Sequence, residues 1–183
     1  FSSENFCVTG GGMQAIQLAI QATAGAGDEA IYLTPAWPNF MGAAGIAGAK
    51  PIPVALDFGD NGWTLDMSRL EAAVTPATRV IFFNSPSNPT GWTATREDIE
   101  AVLALARKHG LWIIADEIYA RFYFDGPRAP SFMDVMAPDD RIIFVNTFSK
   151  NWSMTGWRIG WAPVHPELQQ VFENLVQYST SGV

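Results

Sequence analysis

The chain has little sulfur and little imidazole: one cysteine, Cys7, and two histidines in 183 residues. A single thiol excludes an internal disulfide framework and a cysteine-rich metal site. His109 falls at an expected helix end before Gly110, and His165 ahead of the last expected helix. Neither joins a cluster of ligands, so no metal is expected. Basic residues are scarce as well. Eleven Lys and Arg stand against eighteen Asp and Glu, a formal net charge of −7. That sign excludes a surface built to neutralise nucleic-acid phosphates or anionic lipid, although a local basic site for one small anion is compatible with it. No stretch approaches the roughly 20 apolar residues of a membrane span, and no basic segment precedes an apolar run, which makes the cytoplasm the expected location. Internal repeats and low-complexity linkers are also missing.

What the chain does have is apolar material. Hydrophobic residues make up 48% of it and charged residues 16%, a balance suited to one α/β domain with its sheet covered on both faces. Apolar runs at 30–33, 51–54, 80–84, 111–115, 142–145 and 158–162 read as strands. Helical patterns at 13–24, 40–47, 66–74, 95–108 and 165–178 alternate with them. This alternation predicts an α/β fold with a mostly parallel central sheet and helices on both faces. The fourth helix carries the fullest signals: Thr95 and Asp98 as a capping box, an apolar stripe at Ile99, Val102, Leu103, Leu105 and Ala106, and Gly110 as the stop.

A glycine loop, Thr9-Gly10-Gly11-Gly12-Met13-Gln14-Ala15, lies between a short apolar run and the first helix. Glycine lets backbone approach an anion, and a helix start offers unpaired N–H groups, so the loop can cradle a phosphate. Taken alone it reads equally well as a plain turn. Gly10, Gly12 and Ala15 also match a relaxed dinucleotide fingerprint, but the strand before them is cramped against the chain start. The acidic strand end at Asp116-Glu117 resembles that of a P-loop ATPase, yet no G-x-x-x-x-G-K-[ST] loop accompanies it.

Four further segments fall at the ends of expected strands, where open α/β sheets bind ligands. They are Pro35-Ala36-Trp37-Pro38-Asn39, Asn84-Ser85-Pro86-Ser87-Asn88-Pro89-Thr90-Gly91, Asp116-Glu117-Ile118-Tyr119, and Thr147-Phe148-Ser149-Lys150 running on to Gly156-Trp157-Arg158-Ile159-Gly160. An amine near aromatic rings and a second cation sheds its proton more readily, which suits Lys150 to Schiff-base chemistry. Asp116 could hold a cationic ring nitrogen, and Trp37 offers a flat face for stacking. Arg158, Thr147 and Ser149 supply phosphate donors. Each residue alone has a simpler reading, as a cap, a packing aromatic or a solvated charge. Their joint occurrence in order is what carries weight.

On those motifs the chain resembles the large domain of class I/II aminotransferases of the pyridoxal-phosphate fold type I, the aspartate-aminotransferase-like group. The resemblance implies a chain covering that domain, residues 1–183, without the family's N-terminal segment and C-terminal small domain. It implies pyridoxal 5'-phosphate carried on Lys150 as a Schiff base, with Asp116 on the ring nitrogen. Asn88 and Tyr119 would hold the phenolic oxygen, and Trp37 would stack on the ring. Gly11, Gly12 and Met13, with Thr147, Ser149 and Arg158, would grip the phosphate. Lys150, Asp116 and Tyr119 are thus the expected catalytic residues, and Trp37 and Asn88 would also meet substrate. Met13 stands where the family often has a polar side chain, which leaves a backbone contact only. The implied reaction is ping-pong transfer of an amino group from an amino acid to a 2-oxo acid, in a homodimer.

Two alternatives share these residues. A β-lyase or decarboxylase of the same fold would use the same cofactor for another outcome. A transcription regulator could use such a domain as a ligand sensor, which would require a basic helix-turn-helix upstream of Phe1.

Overall fold

The structure is a computed structural model, and it describes residues 3–182. Seven strands form one sheet: β1 (Phe6–Thr9), β2 (Glu29–Thr34), β3 (Lys50–Ala55), β6 (Thr78–Asn84), β7 (Trp112–Asp116), β8 (Ile142–Thr147) and β9 (Gly160–Pro163). A separate hairpin joins β4 (Asp57–Gly59) to β5 (Gly62–Thr64). The sheet order is β1-β9-β8-β7-β6-β2-β3. The run from β8 to β3 is parallel, whereas β9 is antiparallel to both β8 and β1. The sheet is therefore mostly parallel, as the alternation of patterns predicts.

Among the described residues the α-helices are α1 (Gly12–Thr23), α2 (Asn39–Ile46), α3 (Met67–Ala72), α4 (Arg96–His109), α5 (Phe148–Asn151) and α6 (Gln169–Thr180). Strand side chains alternate between two cores, because successive residues point to opposite faces. Val80, Phe82, Trp112, Ile114, Ile143 and Val145 pack with α1, α2 and α6 on one face. Ile81, Phe83, Ile113, Ala115, Ile142 and Phe144 pack with α3 and α4 on the other. Among the described residues, no helix is long and apolar enough to cross a membrane.

Local signals explain the helix ends. The Thr95 hydroxyl accepts from Asp98 N–H at 3.1 Å, and the Asp98 carboxylate accepts from Thr95 N–H at 2.9 Å. Gly110 then stops α4 in the left-handed region at φ 66°, where a Cβ is unwelcome. Helix α1 differs: Gly11 stands at its N-cap with φ 89° and no side chain caps it, so its first N–H groups keep no partner within the helix.

Several sequence expectations need correction. The strand expected at 158–162 begins only at Gly160, and Arg158 adopts a left-handed backbone, φ 53°. That bend turns its guanidinium back toward the glycine loop instead of along a strand. The strand at 51–54 exists but is not buried on both faces. It is the sheet edge, where Pro51 and Pro53 can direct their missing donors outward. The last helix starts at Gln169 after a 3₁₀ turn at Pro166–Leu168. The short apolar run before the glycine loop forms strand β1, whereas the β4–β5 hairpin and the single turn α5 were not among the expected elements.

Candidate active site

The carboxyl ends of β6, β7 and β8 open on one side of the sheet beside the start of α1. There a cavity of about 290 Å3 is lined by Gly12, Met13, Trp37, Asn88, Asp116, Tyr119, Thr147, Ser149, Lys150 and Arg158, with Ile16, Asn84, Ile118, Val145 and Thr155 completing the wall. Ten of the eleven residues singled out from the sequence thus share one concavity close to the size range of small-molecule sites. The eleventh, Gly11, sits directly behind it. A Cβ at Gly11 would lie 2.8 Å from Arg158 Nη2, the mobile end of a long side chain, and it is the φ of 89° that calls for glycine at this position.

The floor is acidic and the rim cationic. Asp116 ends β7 with 2% exposure. Burial pushes its carboxyl up to about 7, opposed by the Ile118 N–H bond and reinforced by neighbouring Glu117. That N–H donates to Asp116 Oδ1 at a long 3.4 Å. Among the described residues, no cationic side chain comes within ion-pair distance of Asp116, and no carboxylate within that distance of Lys150 or Arg158. A buried acid without a cation, facing a cavity, suits a ligand that brings its own positive ring nitrogen.

Arg158 Nη1 donates to the Thr155 carbonyl at 3.0 Å and to Ser149 Oγ at 3.4 Å, both neutral acceptors. Its charge is left available to an anion. The uncapped start of α1, Gly11, Ser149 and Arg158 together make a phosphate-sized corner with both backbone and side-chain donors. Thr147 plays a local part as well: its hydroxyl accepts from Ser149 N–H at 3.2 Å and donates to the Ile159 carbonyl at 3.1 Å. It thereby caps α5, the turn that presents Lys150. The Lys150 Nζ lies 5.8 Å from the centroid of the Tyr119 ring, and Lys150 lines the same cavity as Asp116 and Arg158.

Three residues with structural parts at the site stand inside the quoted motifs but were given no individual role from the sequence. Asn84 donates through Nδ2 to the Asp116 carbonyl at 3.1 Å and accepts from Asn88 N–H at 2.8 Å, so it ties the 84–91 loop to the tip of β7. Gly160 lies against the glycine loop: a Cβ there would sit 2.7 Å from Asn146 O, 2.8 Å from Gly11 C and 3.0 Å from Gly12 N. Glu117 anchors the loop that carries Tyr119. Their motifs placed all three near strand ends, but the partners that define their parts are distant in sequence.

A larger, shallower cleft of about 820 Å3 adjoins the cavity and shares Asn88 and Tyr119 with it; Pro86, Pro89, Phe122, Tyr123 and Phe124 line much of the rest. The residues expected from the sequence, Asp116, Lys150 and Arg158 among them, line the smaller cavity.

Comparison with known proteins agrees with this geometry. The family model described as aminotransferase class I and II matches residues 1–182. An aspartate aminotransferase of Streptomyces avermitilis is 39% identical over 178 residues, covering 96% of this chain and 43% of the relative. An arginine–pyruvate transaminase of Pseudomonas aeruginosa is 35% identical over 174 residues, or 94% of this chain and 44% of the relative. The solved aspartate aminotransferase of Thermotoga maritima superposes with a TM-score of 0.94 at 31% identity, covering 100% of this chain and 48% of that one. The chain spans less than half the length of each of these relatives.

Proposed function

The chain belongs to the class I and II aminotransferase family, and from that premise we propose that it is the pyridoxal-phosphate-binding large domain of an enzyme that moves an amino group from an amino acid to a 2-oxo acid. The observation that carries this reading is the convergence of Lys150, Asp116 and Arg158 with the α1 start on one cavity. Pyridoxal 5'-phosphate, when bound, supplies an aldehyde that condenses with amines and a protonated ring that draws electrons from a substrate's Cα–H bond.

The residues divide the remaining work. Asp116 holds the proton on the ring nitrogen, because a carboxylate so deeply buried is stabilised by an adjacent cation. Arg158, Ser149 and the backbone of Gly11, Gly12 and Met13 grip the phosphate, with Thr147 holding Ser149 in place. Asn88 and Tyr119 would donate to the phenolic oxygen, and Trp37, half-buried in the cavity wall, would stack on the ring. Lys150 supplies the amine that anchors the group. With the group bound and its amine freed by substrate, the Lys150 Nζ would serve as the general base at the substrate Cα and hold the proton it takes there. The family resemblance adds a homodimer in the cytoplasm as part of the proposal.

The test is a product assay with several amino acids, 2-oxo acids and added pyridoxal phosphate. Amino transfer that depends on the 2-oxo acid, and that Lys150→Ala abolishes, supports the proposal. Release of ammonia and pyruvate, or of carbon dioxide, without a 2-oxo acid acceptor moves the chain to lyase or decarboxylase chemistry.

A further inference from the structure

Glu117 is a partly buried acid to which the proposed chemistry gives no task. Its neighbour Asp116 faces the cavity, whereas the Glu117 carboxylate turns the other way, under the chain that follows. There Ser131 Oγ donates to Glu117 Oε2 at 2.7 Å, and Phe132 N–H donates to Oε1 at 3.1 Å. Between these contacts the chain from 118 to 131 contains turns and bends but no helix or strand. Much of it is solvent-exposed, with Phe124 at 96%. Phe132 itself is rooted in the core, 1% exposed and edge-on to Phe83 at 5.3 Å. We propose that Glu117 is a positioning residue whose carboxylate clamps the two ends of the 118–131 loop together and thereby holds Tyr119 at the cavity.

Three observations support a clamp over a passive contact. First, Tyr119 sits two residues from Glu117, in a turn closed by Ala120 N–H to the Glu117 carbonyl at 2.9 Å and Phe122 N–H to the Tyr119 carbonyl at 2.8 Å. Any shift of Glu117 is passed directly to the phenol. Second, the returning arm of the loop is held to the outgoing arm by Ala129 N–H to the Ala120 carbonyl at 2.9 Å. The two bonds to Glu117 lie just outside that closure and complete it. Third, the far side of the clamp is itself rigid. Asp134 accepts from Ser131 N–H at 3.1 Å and from Arg128 Nη1 at 2.9 Å. Burial also pushes the Glu117 carboxyl up to about 7, with the Ser131 and Phe132 bonds pulling it back. A carboxylate drawn out of water needs such donors, and both of them lie at the far end of the loop.

The inference rests on Tyr119 contacting the cofactor as proposed above, so the test has one arm that does not need the cofactor. Glutamine keeps an acceptor for Phe132 N–H and offers its amide to Ser131 Oγ, whereas alanine removes both bonds. In the protein without added cofactor, Glu117→Ala should speed hydrogen exchange at the Ala120, Phe122 and Ala129 amides by about tenfold or more, as expected when charge-assisted bonds are lost. Glu117→Gln should stay within about threefold of the unsubstituted protein. In the second arm, pyridoxal phosphate is titrated into the unsubstituted protein, Glu117→Ala, Tyr119→Phe and the double variant. Each single change should weaken affinity by about tenfold, and the double change no more than Tyr119→Phe alone. Unchanged exchange in Glu117→Ala, equal impairment by Gln and Ala, or losses that multiply in the double variant would each overturn the clamp. Faster exchange together with a protein that takes up no pyridoxal phosphate would retain the clamp as a loop anchor and overturn its role at the site, along with the functional reading.

Discussion

Replacing Gly160 by alanine is the sharpest local test of how the phosphate corner is built. The added methyl would meet three backbone atoms, Asn146 O at 2.7 Å, Gly11 C at 2.8 Å and Gly12 N at 3.0 Å. None of these is the end of a flexible side chain, so β9 and the glycine loop must separate by several tenths of an ångström. Overpacking of this kind costs about 1–3 kcal/mol. With a urea dependence of about 2 kcal/mol per molar for a chain of this size, the unfolding midpoint should fall by about 0.5–1.5 M. The displaced atoms belong to the loop that faces Arg158, so pyridoxal phosphate affinity should also drop, by about tenfold if about 1.4 kcal/mol of phosphate contact is lost. Gly42→Ala is the matched control. It lies inside α2 with open space around its Cβ position, and should stabilise the protein by about 0.5–1 kcal/mol. Urea titrations and cofactor titrations of both variants decide the matter. A Gly160→Ala protein as stable and as tight-binding as Gly42→Ala would refute the close approach of β9 to the loop.

Two further outcomes follow from the charges. The Asp116 carboxyl titrates at about 7 in the fold against an ordinary 3.8. The folded state therefore holds a proton that the unfolded chain has lost between those values, and stability falls as pH rises from about 4 to about 7. The difference amounts to roughly 4 kcal/mol. Without cofactor, Asp116→Asn should lose about half of the decline measured by urea titration between pH 5 and pH 8, because Glu117, also pushed up to about 7, contributes a comparable share of the same sign in both proteins; an unaltered pH dependence would contradict the assignment. Arg158→Ala should weaken pyridoxal phosphate by about 10- to 150-fold through loss of charge-assisted bonds, while pyridoxal lacking the phosphate should bind both proteins alike. Equal losses for the two ligands would place Arg158 elsewhere in the site.

Much of this architecture was legible because the informative signals are local. Continuous apolar runs marked β6, β7 and β8, which are buried on both faces, and Thr95, Asp98 and Gly110 bounded α4 to within a residue. Ten of the eleven proposed site residues reach one cavity because each lies at or beside the end of an element the pattern had located. The misses share a cause of the opposite kind. The hairpin at Asp57–Thr64 is three residues a side and rich in polar residues and glycine, so no period can register. Strand β1, four residues long with exposed Phe6 and Val8, showed only as a short apolar run before the glycine loop. Arg158 belongs to an apolar run by sequence but to the phosphate corner by its left-handed backbone. The contacts of Asn84 with Asp116, Glu117 with Ser131, and Gly160 with Gly11 span 14 to 149 residues, and only the folded sheet brings them together.

The account stands on the Lys150 amine. Borohydride treatment of the protein with pyridoxal phosphate, followed by peptide mapping, should fix the cofactor covalently to the peptide carrying Ser149-Lys150-Asn151 and nowhere else, with the visible absorbance lost in step. Stable covalent attachment in Lys150→Ala, or a map that places the adduct on Lys50 or Lys108 in the unsubstituted protein, would contradict it.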